Sequence, residues 1–238
     1  TFDGLTNSLP AGWLGEIKGE PADPARDDGG SNKGGLYLYG AGQEEERALG
    51  SLASGTCDPI RFGVVLRNAD ESCVAEMAVS FNGEQWRSGS GTATNLLACY
   101  GAILPEAPTN LAAIAAIDRF TLPALNFTSI VHGANSALDG NAALHRQSIA
   151  ATFAPPRALS PGHFLALWWH DSDDAGGDHG LAVDDLTVRW TEIAPPAPAQ
   201  QLLSFWHCNE TEEAGAFERL LPLGAPDAPL DYGCDAGA

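Results

Sequence analysis

Along VAEMAVSFNGEQW, residues 74–86, apolar and polar positions alternate: Met77, Val79 and Phe81 fall on one side, Ala78, Ser80 and Asn82 on the other. Period two marks a half-buried β-strand, because successive side chains point to opposite faces. Short runs rich in β-branched and aromatic residues recur at GGLYLYGAG (34–42), IRFGVVLRN (60–68) and GHFLALWWHD (162–171), and each predicts a strand. In LAVDDLTVRW (181–190), Leu181, Val183 and Asp185 share one side, Ala182, Asp184 and Leu186 the other. The alternation slips at the paired aspartates, which predicts a β-bulge there.

Between these runs lie Gly, Pro, Asn and Asp clusters such as PADPARDDGGSNKGG (21–35), while the Ala-rich PTNLAAIAAIDRF (108–120) predicts one short helix. Many short strands punctuated by turns, with no strand–helix alternation, predict an all-β, antiparallel two-sheet sandwich. The sandwich is expected over residues 1–192, followed by a Pro/Ala linker at 193–201 and a C-terminal tail at 202–238. Phe205, Trp206, Phe217 and the apolar residues of 220–223 give this tail a need for a covering surface, so it is expected to dock, on its own domain or on a neighbouring subunit.

The net charge of −19, from 31 acidic and 12 basic residues, excludes a nucleic-acid partner, whose affinity would come from Lys and Arg. No apolar run reaches the roughly 20 residues of a membrane span, so no membrane insertion is expected. The five cysteines, Cys57, Cys73, Cys99, Cys208 and Cys234, lack CxxC spacing and fit two disulfides plus one thiol in an exported protein. Cys57 with Cys73 and Cys208 with Cys234 are the favoured pairs. The start at Thr1 instead of methionine fits removal of a signal peptide, and a secreted or cell-surface location is expected.

FDGLTNSLPAGW, GGLYLYGAG, ERALGSLASGT, FGVVLRN, VSFNGEQWR, ALNFTSI, ALDGNAALHR and LALWWHDSDDAGGDHGLAVDDLTV follow one another along residues 1–190. This order resembles a jelly-roll-like β-sandwich module of secreted bacterial multidomain proteins, found beside adhesin, surface-anchor or extracellular-nuclease regions. GEQWR, ALDGN and GLAVDDLTV are its most specific pieces. The resemblance implies a non-catalytic module. Jelly-roll carbohydrate-binding modules often take an aspartate from the closing strand for a structural calcium, which implies such a role for Asp184 or Asp185 with Asp3 or a nearby carbonyl.

The residues nominate further chemistry. Asp171, Asp173 and Asp178, with Asp174, lie on a Gly-containing loop whose hard oxygens suit Ca²⁺; Asp and Gly equally belong in a solvated hairpin turn between strands ending at Asp171 and starting near Leu181. His170, Asp171 and His179 lack an HExxH motif and a nucleophile, which disfavours a hydrolase with an unrecognised metal site. Trp86 and Arg87 could grip a sugar ring or pack between sheets. Of the adjacent Trp168 and Trp169, one is expected to face outward, and Trp169 and Trp206 join the candidate glycan or partner contacts. Two triplets, at Asn126 and Asn209, fit the N-glycosylation pattern. The reading is a non-catalytic extracellular structural or adhesive protein, a self-assembling filament or layer subunit docked through its tail. Glycan binding is the alternative, and other surface proteins are further candidate partners.

Overall fold

The computed structural model describes residues 1–42, 45–114 and 116–193. The linker after Ile193, the docked tail, Trp206, Cys208, Cys234 and the Asn209 triplet lie outside the described residues.

The strands are β1 (Trp13–Ile17), β2 (Glu20–Pro21), β3 (Ala25–Asp27), β4 (Gly35–Tyr39), β5 (Ala48–Leu52), β6 (Ile60–Arg67), β7 (Cys73–Ser88), β8 (Leu96–Leu104), β9 (Arg119–Thr121), β10 (Phe127–Thr128), β11 (Ser136–Ala137), β12 (Arg146–Phe153), β13 (Phe164–Asp171) and β14 (Gly180–Ile193). They form two seven-stranded sheets. Sheet A runs β10-β8-β13-β6-β1-β2 with β9 beside β8; sheet B runs β11-β7-β14-β5-β4-β3 with β12 beside β7. Pairing is antiparallel except between β3 and β4. From β5 to β8 and again from β12 to β14 each successive strand changes sheet, the jelly-roll habit the sequence led us to expect.

Alternation explains the packing. Ile60, Phe62 and Val64 of β6, Leu167 and Trp169 of β13 and Leu97 and Cys99 of β8 face Val79 and Phe81 of β7, Leu49 of β5 and Leu181 and Val183 of β14 across one central core. Burial of apolar surface there drives the two layers together. The predicted bulge is present: the β14–β7 register shifts between Asp184 and Thr187, and Asp185 takes φ 53°. The extra residue turns Leu186 and Val188 back toward the central core, leaving Asp184 buried on the outer face of sheet B and Asp185 exposed.

Three expectations need correction. The described residues of 108–120 form turns and bends, not a helix, and end in β9. The Glu16 carboxylate accepts the Leu111 and Ala112 amides, both at 3.0 Å, and Asn110 Oδ1 accepts the Ala113 amide. These are the first amides of a would-be helix, which its own turns would leave free. The side chains therefore fix where the segment starts without extending it, and Leu111 and Ile114 pack in the outer cluster with Trp168. Second, β13 belongs to sheet A and β14 to sheet B, so residues 172–179 arch between sheets and are not a hairpin turn. Third, Cys57 is a free thiol donating to the Gly34 carbonyl at 3.3 Å, so the Cys57–Cys73 bridge is not formed.

Candidate metal centre

The three most specific sequence segments meet on the outer face of sheet B. GEQWR lies on β7, where Glu84 and Trp86 point outward; the paired aspartates lie on the neighbouring β14, with Ala182 opposite Glu84. ALDGN crosses above them. Leu138 donates its amide to the Trp86 carbonyl at 2.8 Å, and a Cβ on Gly140 would come within 2.3 Å of the Trp86 indole nitrogen. Only glycine permits that approach, so Trp86 is sealed between Gly140 and Tyr39, whose ring stacks on it at 6.0 Å.

Beneath this lid Glu46, Glu84 and Asp184 converge, each offering a carboxylate oxygen within 4.8 Å of the others. Opposite oxygens on one Ca²⁺ stand about 4.6–5.2 Å apart, twice the usual Ca–O distance. One oxygen of each carboxylate is engaged or paired: Glu84 Oε2 accepts from the Trp86 indole at 3.0 Å, Glu46 Oε2 accepts from the Asn141 amide, and Asp184 Oδ2 lies 4.0 Å from Arg146 Nη2. The remaining oxygens, Glu46 Oε1, Glu84 Oε1 and Asp184 Oδ1, are buried without a hydrogen bond, although Glu84 Oε1 is ion-paired with Arg146 Nε at 3.2 Å. Glu84 is 0% and Asp184 3% exposed. Buried carboxylate oxygens are normally satisfied, and an orphaned one is costly. Burial pushes the Glu84 carboxyl up to about 8 although Trp86 and Arg146 pull it down; burial takes Asp184 up to about 6 and raises Glu46 as well. All-oxygen, anionic and partly preformed, the donor set fits a hard divalent cation, and Ca²⁺ best for its tolerance of irregular geometry. Asp3 sits nearby, its Oδ1 accepting the Arg47 amide at 3.1 Å. Of the expected metal residues, Asp184 therefore joins the cluster, and Asp185 stands at its rim on Arg146 at 2.9 Å.

The acidic arch is built differently. Asp171 is buried and its Oδ2 accepts from Ser51 Oγ at 2.7 Å; burial pushes its carboxyl up to about 7. Asn95 donates to both Asp174 (2.6 Å) and Asp178 (2.8 Å) and accepts the His179 amide, so one neutral amide does the bridging that a cation would do. Burial takes Asp178 up to about 6, with Asp173 beside it adding to the rise. The Asp173 amide caps Asp58 at 3.0 Å. His179 Nδ1 accepts the Gly89 amide, which puts its proton on Nε2, facing the Ala93 carbonyl. His170 hydrogen-bonds Ser172. Both His179 nitrogens are thus spent on backbone.

The aromatic candidates are interior. Trp86, Trp168 and Trp169 are 1%, 3% and 0% exposed. Trp169 faces the central core with its indole on the Leu125 carbonyl; Trp168 does face outward, but it is buried in a second cluster with Leu111 and Ile114. The Arg87 guanidinium holds the Gly29 and Gly30 carbonyls and Asn135. None of these offers a sugar platform. What the outer face of sheet B does present is an open trough of about 410 Å³ lined by Ala78, Ser80, Ala150, Thr152, Thr187 and Arg189.

Glu46 and Glu84 carry no short-range sequence signal as ligands; they lie 38 and 100 positions from their partners Glu84 and Asp184, and only the fold joins them.

No protein-family model matches the chain, and no curated protein does. Among solved structures it is similar to the enzymatically active domain of tailspike protein 4 of bacteriophage CBA120, at TM-score 0.39 and 8% identity over 80% of this chain and 22% of that one. It is also similar to TmCBM61, solved in complex with β-1,4-galactotriose, at TM-score 0.34 and 6% identity over 76% of this chain and 90% of that one.

Proposed function

We propose that the protein is a non-catalytic extracellular module of the structural or adhesive kind whose sandwich is completed by a structural Ca²⁺ at Glu46, Glu84 and Asp184. The observation that carries this reading is the convergence of three carboxylates whose inner oxygens are buried without a hydrogen bond, that of Glu84 met only by its ion pair with Arg146. A bound cation would tie β7, β14 and the segment before β5 together across the outer face of sheet B. It supplies positive charge and oxygen coordination; Trp86 and Asn141 orient the carboxylates from outside. Extracellular modules commonly bind Ca²⁺ weakly, at about 10⁻⁴–10⁻³ M, matching an abundant ion. Among the described residues no helix is long and apolar enough to cross a membrane.

Thermal unfolding tests this directly. Free Ca²⁺ at a hundredfold excess over Kd stabilises the folded state by about 2.7 kcal/mol, raising Tm by roughly 5–10 °C for a domain of this size. Glu84→Gln and Asp184→Asn should each abolish the rise. A Tm indifferent to Ca²⁺ and chelator, with no binding heat by calorimetry, overturns the metal centre.

A second reading, glycan binding, is favoured by the trough. Its small alanine side chains leave room for a flat ring, and the hydroxyls and guanidinium in its lining suit sugar hydroxyl groups. A glycan array should then show binding that Arg189→Ala removes while Tm stays put. A blank array, or retention of binding by that variant, rules the trough out.

A further inference from the structure

Strand β12 lays Arg146 directly opposite Glu84 of β7. Three carboxylates face its guanidinium: Nε is 3.2 Å from Glu84 Oε1, and Nη2 is 4.0 Å from Asp184 and 2.9 Å from Asp185. These contacts are unequal. Only Asp185 receives a hydrogen bond of good geometry; Arg146 Nε and Glu84 Oε1, close as they are, are both left without a partner. Arginine prefers the planar fork in which two N–H groups meet one carboxylate. Here it neutralises the cluster by proximity without satisfying it.

The side chains also differ in access. Arg146 is 29% and Asp185 46% exposed, while Glu84 is fully buried. The guanidinium can therefore swing toward Asp185 and solvent without disturbing the sheet, and the bulge that turns Asp185 outward at φ 53° is what provides that second anchor.

We infer that Arg146 is the resident counter-cation of the Glu46–Glu84–Asp184 cluster and exchanges against the metal, yielding Glu84 and retaining Asp185 when the ion enters. The inference rests on the reading of the cluster as a cation site. It makes Arg146 the residue that sets affinity: a fixed positive charge beside a divalent ion weakens binding, and the same charge holds the ion-free protein together. Stability and affinity move in opposite directions when it is removed.

The test is Ca²⁺ titration by calorimetry with parallel melting curves on the full chain, for wild type, Arg146→Gln and Arg146→Lys. R146Q should melt lower without Ca²⁺, bind Ca²⁺ roughly tenfold more tightly, as loss of one like charge beside the ion predicts at an intermediate dielectric, and show the larger Ca²⁺-induced rise in Tm. R146K keeps the charge and should bind like wild type. R146Q that folds only with Ca²⁺ supports exchange. R146Q binding no tighter than a wild type that does bind, or staying unfolded at saturating Ca²⁺, overturns the exchange and leaves the metal centre standing. Binding by R146Q alone supports the arginine's role and overturns the Ca²⁺-loaded native state proposed above. Binding by neither overturns both.

Discussion

Glu84 is a strand residue pointing to the outside of its sheet, the position that ordinarily faces water, yet it has no exposure at all. Its neighbour Trp86 donates to it, and the glycine of the crossing segment closes over that indole. Free carboxyls titrate near about 4 in an unfolded chain, whereas burial takes Glu84 up to about 8, Asp171 to about 7 and Asp184 to about 6. Between those limits the folded protein holds protons that the unfolded chain has released. The contribution of these carboxyls to stability falls as pH rises through that window, while His170 and His179, lowered by burial, work the other way below about pH 6.5. In metal-free buffer the urea midpoint should therefore drop between about pH 6.5 and pH 8. Glu84→Gln should shrink the drop, and Ca²⁺ should oppose it by favouring the ionised carboxylates. A midpoint that rises across the same range would show these groups ionised at little cost and remove the motive for a cation. No local pattern announces any of this. Asp184 and Asp185 were candidates through the jelly-roll resemblance, and their interruption of the alternation marked only a bulge; Glu84 was not, because a glutamate on a strand's polar side is the ordinary case.

Strands were legible wherever one face meets the core and the other does not. Met77, Val79 and Phe81 read correctly for that reason, as did the slip at Asp184–Asp185 that became the bulge. Segment 108–120 misled because its alanines carry helix propensity, but propensity is a weak prior beside tertiary demand. Glu16 lies 95 positions from Leu111; it also pairs with Arg61 at 2.7 Å and is 1% exposed. Once that carboxylate is fixed in sheet A, its second oxygen captures the Leu111 and Ala112 amides, and the segment becomes a cover. The arch at 172–179 misled for a related reason. Asp and Gly suit a tight turn and an inter-sheet crossing equally, and the distinction rests on Asn95, which ties Asp174 and Asp178 from another strand's approach.

At the scale of the molecule, two tryptophans adjacent in sequence are buried by two different structures. Trp169 stands between the sheets against Phe81 at 5.0 Å and Phe62 at 6.1 Å, where close-packed walls belong to fixed strands. Trp168 stacks on Tyr100 at 5.7 Å on the outer side, under a cover that is held by hydrogen bonds but is not itself a sheet. Alternation dictated that they face opposite ways; the cover's position, invisible in local sequence, buried the outward one. The two walls should respond differently to truncation. Trp169→Ala leaves a cavity that two sheets cannot close and should cost about 3–5 kcal/mol. Trp168→Ala lets the turns around Leu111 and Ile114 settle inward, and the part of that cost due to residual cavity should be recovered, since the penalty scales with the void that remains. Urea unfolding of both variants measures the difference, with unchanged m-values as the check that the unfolding transition itself is the same. Equal losses would mean that the turns around Leu111 and Ile114 are as rigid as a sheet, and the account of them as a separately pinned cover would fail.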